Sequence, residues 1–268
     1  MKRILLAFQF LTIVPIHIGG RVSDKDVSLS AVLFPLVGFV QGAVLAAVAF
    51  FSLKVFSPAV TSLIVMSVYL LMNGAFHQDG LSDTVDALSV KSTGDLEKDR
   101  TRRLAVMRDP TAGPIGVVAI VVNLLLKFVL LDEIFTTQGH SSLNPVLLLM
   151  PAVAAWSMTM MMPGAKSARS DGLGRIFLGR VKTLHACLAS SILVCLALIG
   201  YLMSGYPGYH GAGRYLLFFF AASIAALCGG LIVRCLFAVR FGGLTGDNLG
   251  AIHETGETVL LITAVLCF

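Results

Sequence analysis

VFSPAVTSLIVMSVYLLMNGAFHQDGLSDTVD, residues 55–86, sets an apolar run directly against a cluster of acids. Residues 55–78 hold no Lys, Arg, Asp or Glu, which exceeds the roughly 20 residues that a helix needs to cross a bilayer. Asp79, Asp83 and Asp86 then follow at spacings of four and three. On a helix these positions fall within about 60° of one another. Carboxylates placed where a hydrophobic segment ends are costly unless something compensates them. A divalent cation would relieve their mutual repulsion, and an oxygen-only donor set suits magnesium or manganese rather than zinc. Gly80, between the first two acids, leaves the backbone open to close approach.

The rest of the chain repeats the apolar theme. Of its 268 residues, 56% are hydrophobic and 13% charged, and the mean hydropathy is +0.87; a soluble domain carries roughly 25% charged residues. Charge-free runs cover residues 27–53, 55–78, 110–126, 134–165, 183–213 and 215–233. Turn residues break the two longest, at 138–142 and 204–208. The runs are continuous rather than alternating, which excludes a β-barrel, and irregular backbone cannot face lipid. The expected fold is therefore all-α: a polytopic integral membrane helical bundle of about six to seven transmembrane helices, forming one domain over residues 1–268. Residues 4–18 read as an interfacial segment and 259–268 as a partial crossing. No cleavable signal peptide is expected. Gly38 and Gly42 form a GxxxG pattern suited to close helix packing. Pro35 and Pro114 are expected to start or kink helices, and Pro151 and Pro163 to bracket a span. The five cysteines, without a CxxC, read as small packing residues.

Charge gives the orientation. If the loop following residue 78 is cytoplasmic, 17 of the 20 Lys and Arg lie on that side, leaving Lys54 and Arg214 outside and Lys127 within a span. The chain is thus expected in the cell (inner) membrane. The same assignment puts 13 of 15 acids on the cytoplasmic face, with only Asp132 and Glu133 outside. Lys127 is expected to snorkel to the outer interface.

Four cytoplasmic clusters carry the candidate chemistry. His77, Asp79, Asp83 and Asp86 form the first. Arg108 and Asp109, before Pro110, form the second; Asp109 is either a helix cap or part of a site. The run Lys98–Arg103 just before it reads as a solvated amphipathic helix. In the third, Lys166, Arg169 and Arg175 alternate with glycines, a pattern suited to phosphate. In the fourth, Thr245 and Asp247 precede Glu254 and Glu257, with the acids at helical spacings of seven and three. The expected metal ligands are Asp79, Asp83, Asp86, Asp247, Glu254 and Glu257; the two acidic faces are expected to line one cavity. Arg108, Lys166, Arg169, Arg175 and Thr245 are expected to bind phosphate, and His77, Asp83 and Asp109 to act in catalysis. Carboxylates, magnesium and basic groups at a membrane surface suit phosphoryl or nucleotidyl transfer.

His77-x-Asp79-Gly80-Leu81-x-Asp83-Thr84-x-Asp86 resembles the signature of the cobalamin synthase (adenosylcobinamide-GDP ribazoletransferase) family. The resemblance continues in order through 34–38 (FPLVG), Met107-Arg108-Asp109 with Gly113 and Gly116, Gly172-Leu173-Gly174 with Phe177, and 243–251 with Glu254 and Glu257. Ile13 departs from it, because the family usually has Arg there. The resemblance implies that adenosylcobinamide-GDP reacts with α-ribazole or its 5′-phosphate, giving adenosylcobalamin or its 5′-phosphate and GMP. It also implies Mg2+ as cofactor. Membrane lipid surrounds such a protein, no nucleic-acid partner is expected, and a homo-oligomer is left open. A CDP-alcohol phosphotransferase is the competing enzyme class. It needs Ala-Arg after the first Asp-Gly, where this chain has Leu81-Ser82. An intramembrane prenyltransferase would need a larger membrane domain. An ion-coupled transporter would place acids near the bilayer midplane.

Overall fold

The computed structural model describes residues 2–138, 143–203 and 211–268. The predicted breaks at 138–142 and 204–208 fall wholly or almost wholly outside them. Among the described residues the only β pairing is an isolated parallel bridge between Ser167 and Leu244; the elements are helices. α1 (Lys2–Leu11) is short and α2 (Asp24–Ser30) leads through a 3-10 turn into α3 (Phe34–Ser52). α4 (Pro58–Asn73) bends by 87° into α5 (Phe76–Ser89). α6 (Leu96–Val106) and α9 (Leu173–Phe177) are short connecting helices. α7 (Pro114–Gln138), α10 (Thr183–Met203), α11 (Gly211–Phe241) and α12 (Gly246–Cys267) are long, and α8 (Pro145–Met160) lies among them. Among the described residues five stretches are long and apolar enough to cross a membrane, six if the bent α4–α5 pair is counted as one span. The chain is an all-α, multi-pass membrane bundle.

α8 is the axis. Each residue from Pro145 to Thr159 is buried, as befits a helix that is apolar on all sides. α3 packs most extensively on it, through the predicted glycine pattern. A Cβ on Gly42 would stand 2.5 Å from the carbonyl oxygens of Leu147 and Leu148. Only a bare backbone allows that approach. Around this core α7, α10 and α11 turn Leu125, Leu202 and Ile232 outward, the surface that a bilayer covers.

Three expectations change. Pro151 lies inside α8, which starts at Pro145 because Asn144 caps it by accepting a hydrogen bond from the Val146 N–H. α7 holds Lys127 within the helix, as expected, but extends well past the charge-free run 110–126, through Asp132 and Glu133. Residues 259–268 are no partial crossing; they complete α12, a 22-residue span. Charge-free runs alone could not mark that span, since Asp247, Glu254 and Glu257 interrupt its first half.

α6 is helical, as its mixed charges suggest, but two of its charges are not solvated. Arg103 is buried and donates from Nη1 to the Arg240 carbonyl at 3.2 Å, at the C-terminal end of α11, where a cation meets the negative end of the helix dipole. Asp99 is also buried. It accepts hydrogen bonds from the Ser92 hydroxyl at 2.5 Å and from the Thr93 N–H and hydroxyl at 2.8 Å each. These bonds, the Ser92 hydroxyl first, hold its pKa at about 2.

Two outcomes follow from this packing. Gly42→Leu should lower the melting temperature of the detergent-solubilised protein by several degrees, because overpacking costs about 1–3 kcal/mol or more; an unchanged melting curve would show that α3 can retreat from α8. Asp99 has a lowered pKa, so its contribution is present above the unfolded carboxylate pKa of about 3.9 and is lost as pH falls toward 2. Asp99→Asn should therefore be less stable than the parent at pH 6. That gap should narrow as melting is followed from pH 4 downward; a pH-independent gap would contradict the assignment.

Candidate active site

The site is built on the α4–α5 bend. Gly74 and Ala75 both take left-handed conformations, with φ +64° and +57°, and Ala75 is the only non-glycine residue with positive φ among those described. Such a conformation costs about 1–2 kcal/mol for a residue with a Cβ. The Asn73 side chain holds it by accepting from the Ala75 N–H at 2.9 Å. The bend lays α5 across the first turns of α12. Gly80 makes this contact: a Cβ there would stand 2.8 Å from the Asp247 carbonyl oxygen. Thr84 accepts from Asn248 Nδ2 at 3.1 Å, and Asn248 closes a capping box with Thr245 at the start of α12.

As a result Asp79 and Asp83 meet Asp247, 164 residues on from Asp83. Asp83 lies within electrostatic reach of Asp79, Asp247 and Arg169. Arg169 Nη1 is 3.2 Å from Asp247 Oδ2. The loop carrying Arg169 is pinned by two backbone bonds of 2.8 Å, Leu244 N–H to the Lys166 carbonyl and Ala168 N–H to the Leu244 carbonyl. Gly243 permits this pairing, since a Cβ there would sit 2.5 Å from the Lys166 carbonyl oxygen. Arg169 keeps Nε and Nη2 without protein partners. A cleft of about 210 Å³ opens beside it, and Arg175, Gly174, Asp247, Phe10 and Phe76 are among the residues that line it. A second depression of about 270 Å³ shares Arg169 and is lined by Arg108 and Ser170.

The other predicted residues are placed differently. Asp86 is buried, and its two oxygens accept the Gly113 and Gly116 N–H groups at 2.8 Å each. It fastens the start of α7 and has no free oxygen facing the cleft. Asp109 is exposed and accepts from the Thr111 N–H and hydroxyl at 2.9 and 2.5 Å, which, the hydroxyl foremost, lowers its pKa. Arg108 forms an exposed ion pair with Asp171 at 3.0 Å. Thr245 lines the cleft, but its hydroxyl accepts from the Asn248 N–H at 3.1 Å. Lys166 is exposed and lines neither depression. Arg175 lines the cleft while Nη1 donates to the Ser170 carbonyl at 2.6 Å.

The second acidic face divides. At about 1.5 Å per residue, Glu254 and Glu257 lie roughly 10 and 15 Å further along α12 than Asp247. There they meet Lys127, which does not snorkel outward but is buried at 4% exposure. Its Nζ donates to Glu254 Oε2 at 2.6 Å and to Glu257 Oε2. Asn123 also donates to Glu254, at 2.6 Å, and the Tyr69 hydroxyl donates to Glu257. His77 is 2% exposed and stacks on His253, with ring centroids 3.8 Å apart. It therefore faces this interior network rather than the cleft, and two glutamates expected at the membrane surface are inside the bundle. His253, Glu254 and Glu257 offer ligand atoms within 4.8 Å of one another, though Lys127 already occupies both carboxylates. Lys127, Tyr69 and Asn123 were missed by sequence reasoning. Lys127 did carry a signal: a lysine inside a span requires an intramembrane partner.

A membrane bundle that gathers carboxylates and arginines around a cleft at one rim defines an integral membrane enzyme for a charged substrate, and the comparisons narrow that class. Residues 3–265 match the family model described as cobalamin-5-phosphate synthase. The chain is 33% identical to the adenosylcobinamide-GDP ribazoletransferase of Geotalea daltonii, over 99% of this chain and 97% of the relative. It is 31% identical to that of Thermodesulfovibrio yellowstonii, over 99% and 96%, and 32% identical to that of Pseudomonas aeruginosa, over 99% and 98%. No solved structure matches it. The chain belongs to the cobalamin-5-phosphate synthase family and is a membrane transferase of cobalamin synthesis.

Lys127→Met tests the interior network. It would strand two buried carboxylates, and breaking a buried ion pair costs about 3–5 kcal/mol. The variant should melt far below the parent in detergent, and adding Glu254→Gln and Glu257→Gln should recover much of the loss. If Lys127→Met alone melts with the parent, the network is not a structural tie.

Proposed function

We propose that this protein is an adenosylcobinamide-GDP ribazoletransferase that joins adenosylcobinamide-GDP to α-ribazole or its 5′-phosphate and releases GMP. The observation that carries the reading is the convergence of Asp79, Asp83 and Asp247 with Arg169 beside a cleft, in a chain matching this family along its whole length. The CDP-alcohol alternative has no comparable support.

The donor set fits magnesium. Asp79, Asp83 and Asp247 offer only oxygen, Asp79 is exposed and the other two are partly so, and Asp247 Oδ2 is met by the Arg169 guanidinium at 3.2 Å. Arg169 is the one cation paired with Asp247 among the described residues. We assign Mg2+ to these three, with Asp86 holding the frame and Glu254 and Glu257 fixing α12 from within. When bound, the ion would offset charge on the diphosphate and the departing GMP.

The protein's own groups do the remainder. Arg169 and Arg175 hold phosphate oxygens across the cleft. The 5′-phosphate of α-ribazole 5′-phosphate survives into the product, so the attacking group is a ring hydroxyl of the ribose. Its oxygen forms the new bond to the corrinoid-side phosphorus as the bond from that phosphorus to the GMP oxygen breaks. Asp83, half-buried beside the acids, accepts the hydroxyl proton. The cleft lies among the segments bearing most Lys and Arg, which supports a reaction on the cytoplasmic side of the inner membrane. The whole chain acts as one transferase domain.

The test is GMP release by purified protein from adenosylcobinamide-GDP and α-ribazole, with magnesium and with a chelator. Chelation should stop turnover. Asp83→Asn should stay folded and lose at least about 100-fold in rate. Parent-like turnover by that variant at saturating magnesium would remove Asp83 from the reaction, and absence of GMP release by the parent would remove the assignment itself.

A further inference from the structure

The cleft beside Arg169 has a wall that phosphate binding does not use. Phe76 is 47% exposed, yet it lines the same cleft as Asp247 and Arg175 rather than only the bilayer-facing surface. It follows immediately on Ala75, so the strained bend aims it. Phe10 meets its edge at 6.0 Å between centroids. Phe10 is itself locked, stacked on Phe34 at 5.5 Å and set edge-on to Phe177 at 4.8 Å. An aromatic wall, with Phe76 half-exposed in a cleft that also holds two arginines, suits a flat base joined to phosphate. Asp171 lines the cleft as well, its carboxylate held by Arg108 at 3.0 and 3.1 Å. At about 210 Å³ the space is smaller than the roughly 300–1,000 Å³ of typical ligand pockets; it fits one moiety and not a corrin ring.

Resting on the transferase reading above, we propose that this cleft is the guanine subsite: the base stacks on Phe76 and its N1–H and 2-amino group donate to the Asp171 carboxylate. Guanine fits better than the base of α-ribazole, which presents no N–H donor for a carboxylate. The placement also leaves the diphosphate on Arg169 and Arg175, next to Asp83 and Asp247. Asp171 and Phe76 then set nucleotide specificity without touching the reacting phosphorus.

Equilibrium binding of GMP, IMP and inorganic pyrophosphate to the full-length purified protein tests this. IMP lacks the 2-amino group. The parent should prefer GMP over IMP by about tenfold or more, the scale of one hydrogen bond to a charged acceptor, and Asp171→Asn should erase that preference. Phe76→Leu should weaken GMP and IMP alike by roughly 5- to 150-fold, the scale of base–aromatic stacking, with pyrophosphate unchanged and Phe76→Tyr restoring affinity. Parent-like GMP affinity in Phe76→Leu overturns the proposal. So does a rise in KM for α-ribazole with GMP binding unaffected, which would put the other base in the cleft. Either result leaves the transferase reading standing so long as the parent still releases GMP in turnover, whereas no GMP release sinks that reading independently.

Discussion

Everything at the rim of this bundle hangs on one buried ammonium group. Lys127 lies between Glu254 and Glu257 in the packed interior, joining α7 to α12. A charge there, unpaired, would cost several kcal/mol. The helices are thereby held to the one arrangement that brings cation and anions together, and Tyr69 and Asn123 extend the tie to α4 and along α7. Because α12 is fixed in depth and rotation by this network, its first turn presents Asp247 at a defined place. The His77–His253 stack continues the network into α5, so the helix carrying Asp79 and Asp83 is anchored to the same core.

Glycine completes what the charges begin. Gly80 and Gly250 let α5 and α12 touch backbone to backbone, Gly174 brings the α9 turn against Gly246, and Gly113 and Gly116 let Asp86 seat on the start of α7. Each is a close approach rather than a hinge. The acids of the site are therefore presented by short, stiff contacts between elements far apart in sequence, which is the preorganisation that transfer chemistry benefits from. The electrostatic design has two levels: an interior level in which one lysine ties two buried glutamates into the packing, and a rim level in which Asp79, Asp83 and Asp247 are less enclosed.

A hydropathy pattern made the bundle legible and a spacing pattern located the rim. The acids of α5 and the basic, glycine-interleaved loop were readable because they stand out in a charge-poor chain, and a GxxxG pattern marked α3 for close helix packing, while only the packed bundle named α8 as its partner. Asp86 could not be told from Asp79 and Asp83 by spacing, since only the arrival of Gly113 and Gly116 decides which carboxylate is consumed by backbone N–H groups. Glu254 and Glu257 read as surface acids because their partner is 127 and 130 residues away.

The amino-acid sequence by itself determined the fold class, the approximate spans, the acidic and basic clusters and the family, since each rests on local composition, period or ordered motifs. Tertiary structure alone decided that α12 is a full span, that His77 points inward, and that the two acidic faces part company, Asp247 going to the rim and the glutamates to Lys127. The physical reason is the same in each case. Whether a charged side chain lies in lipid, water or protein depends on which distant group neutralises it, and that partner is fixed only when the helices pack.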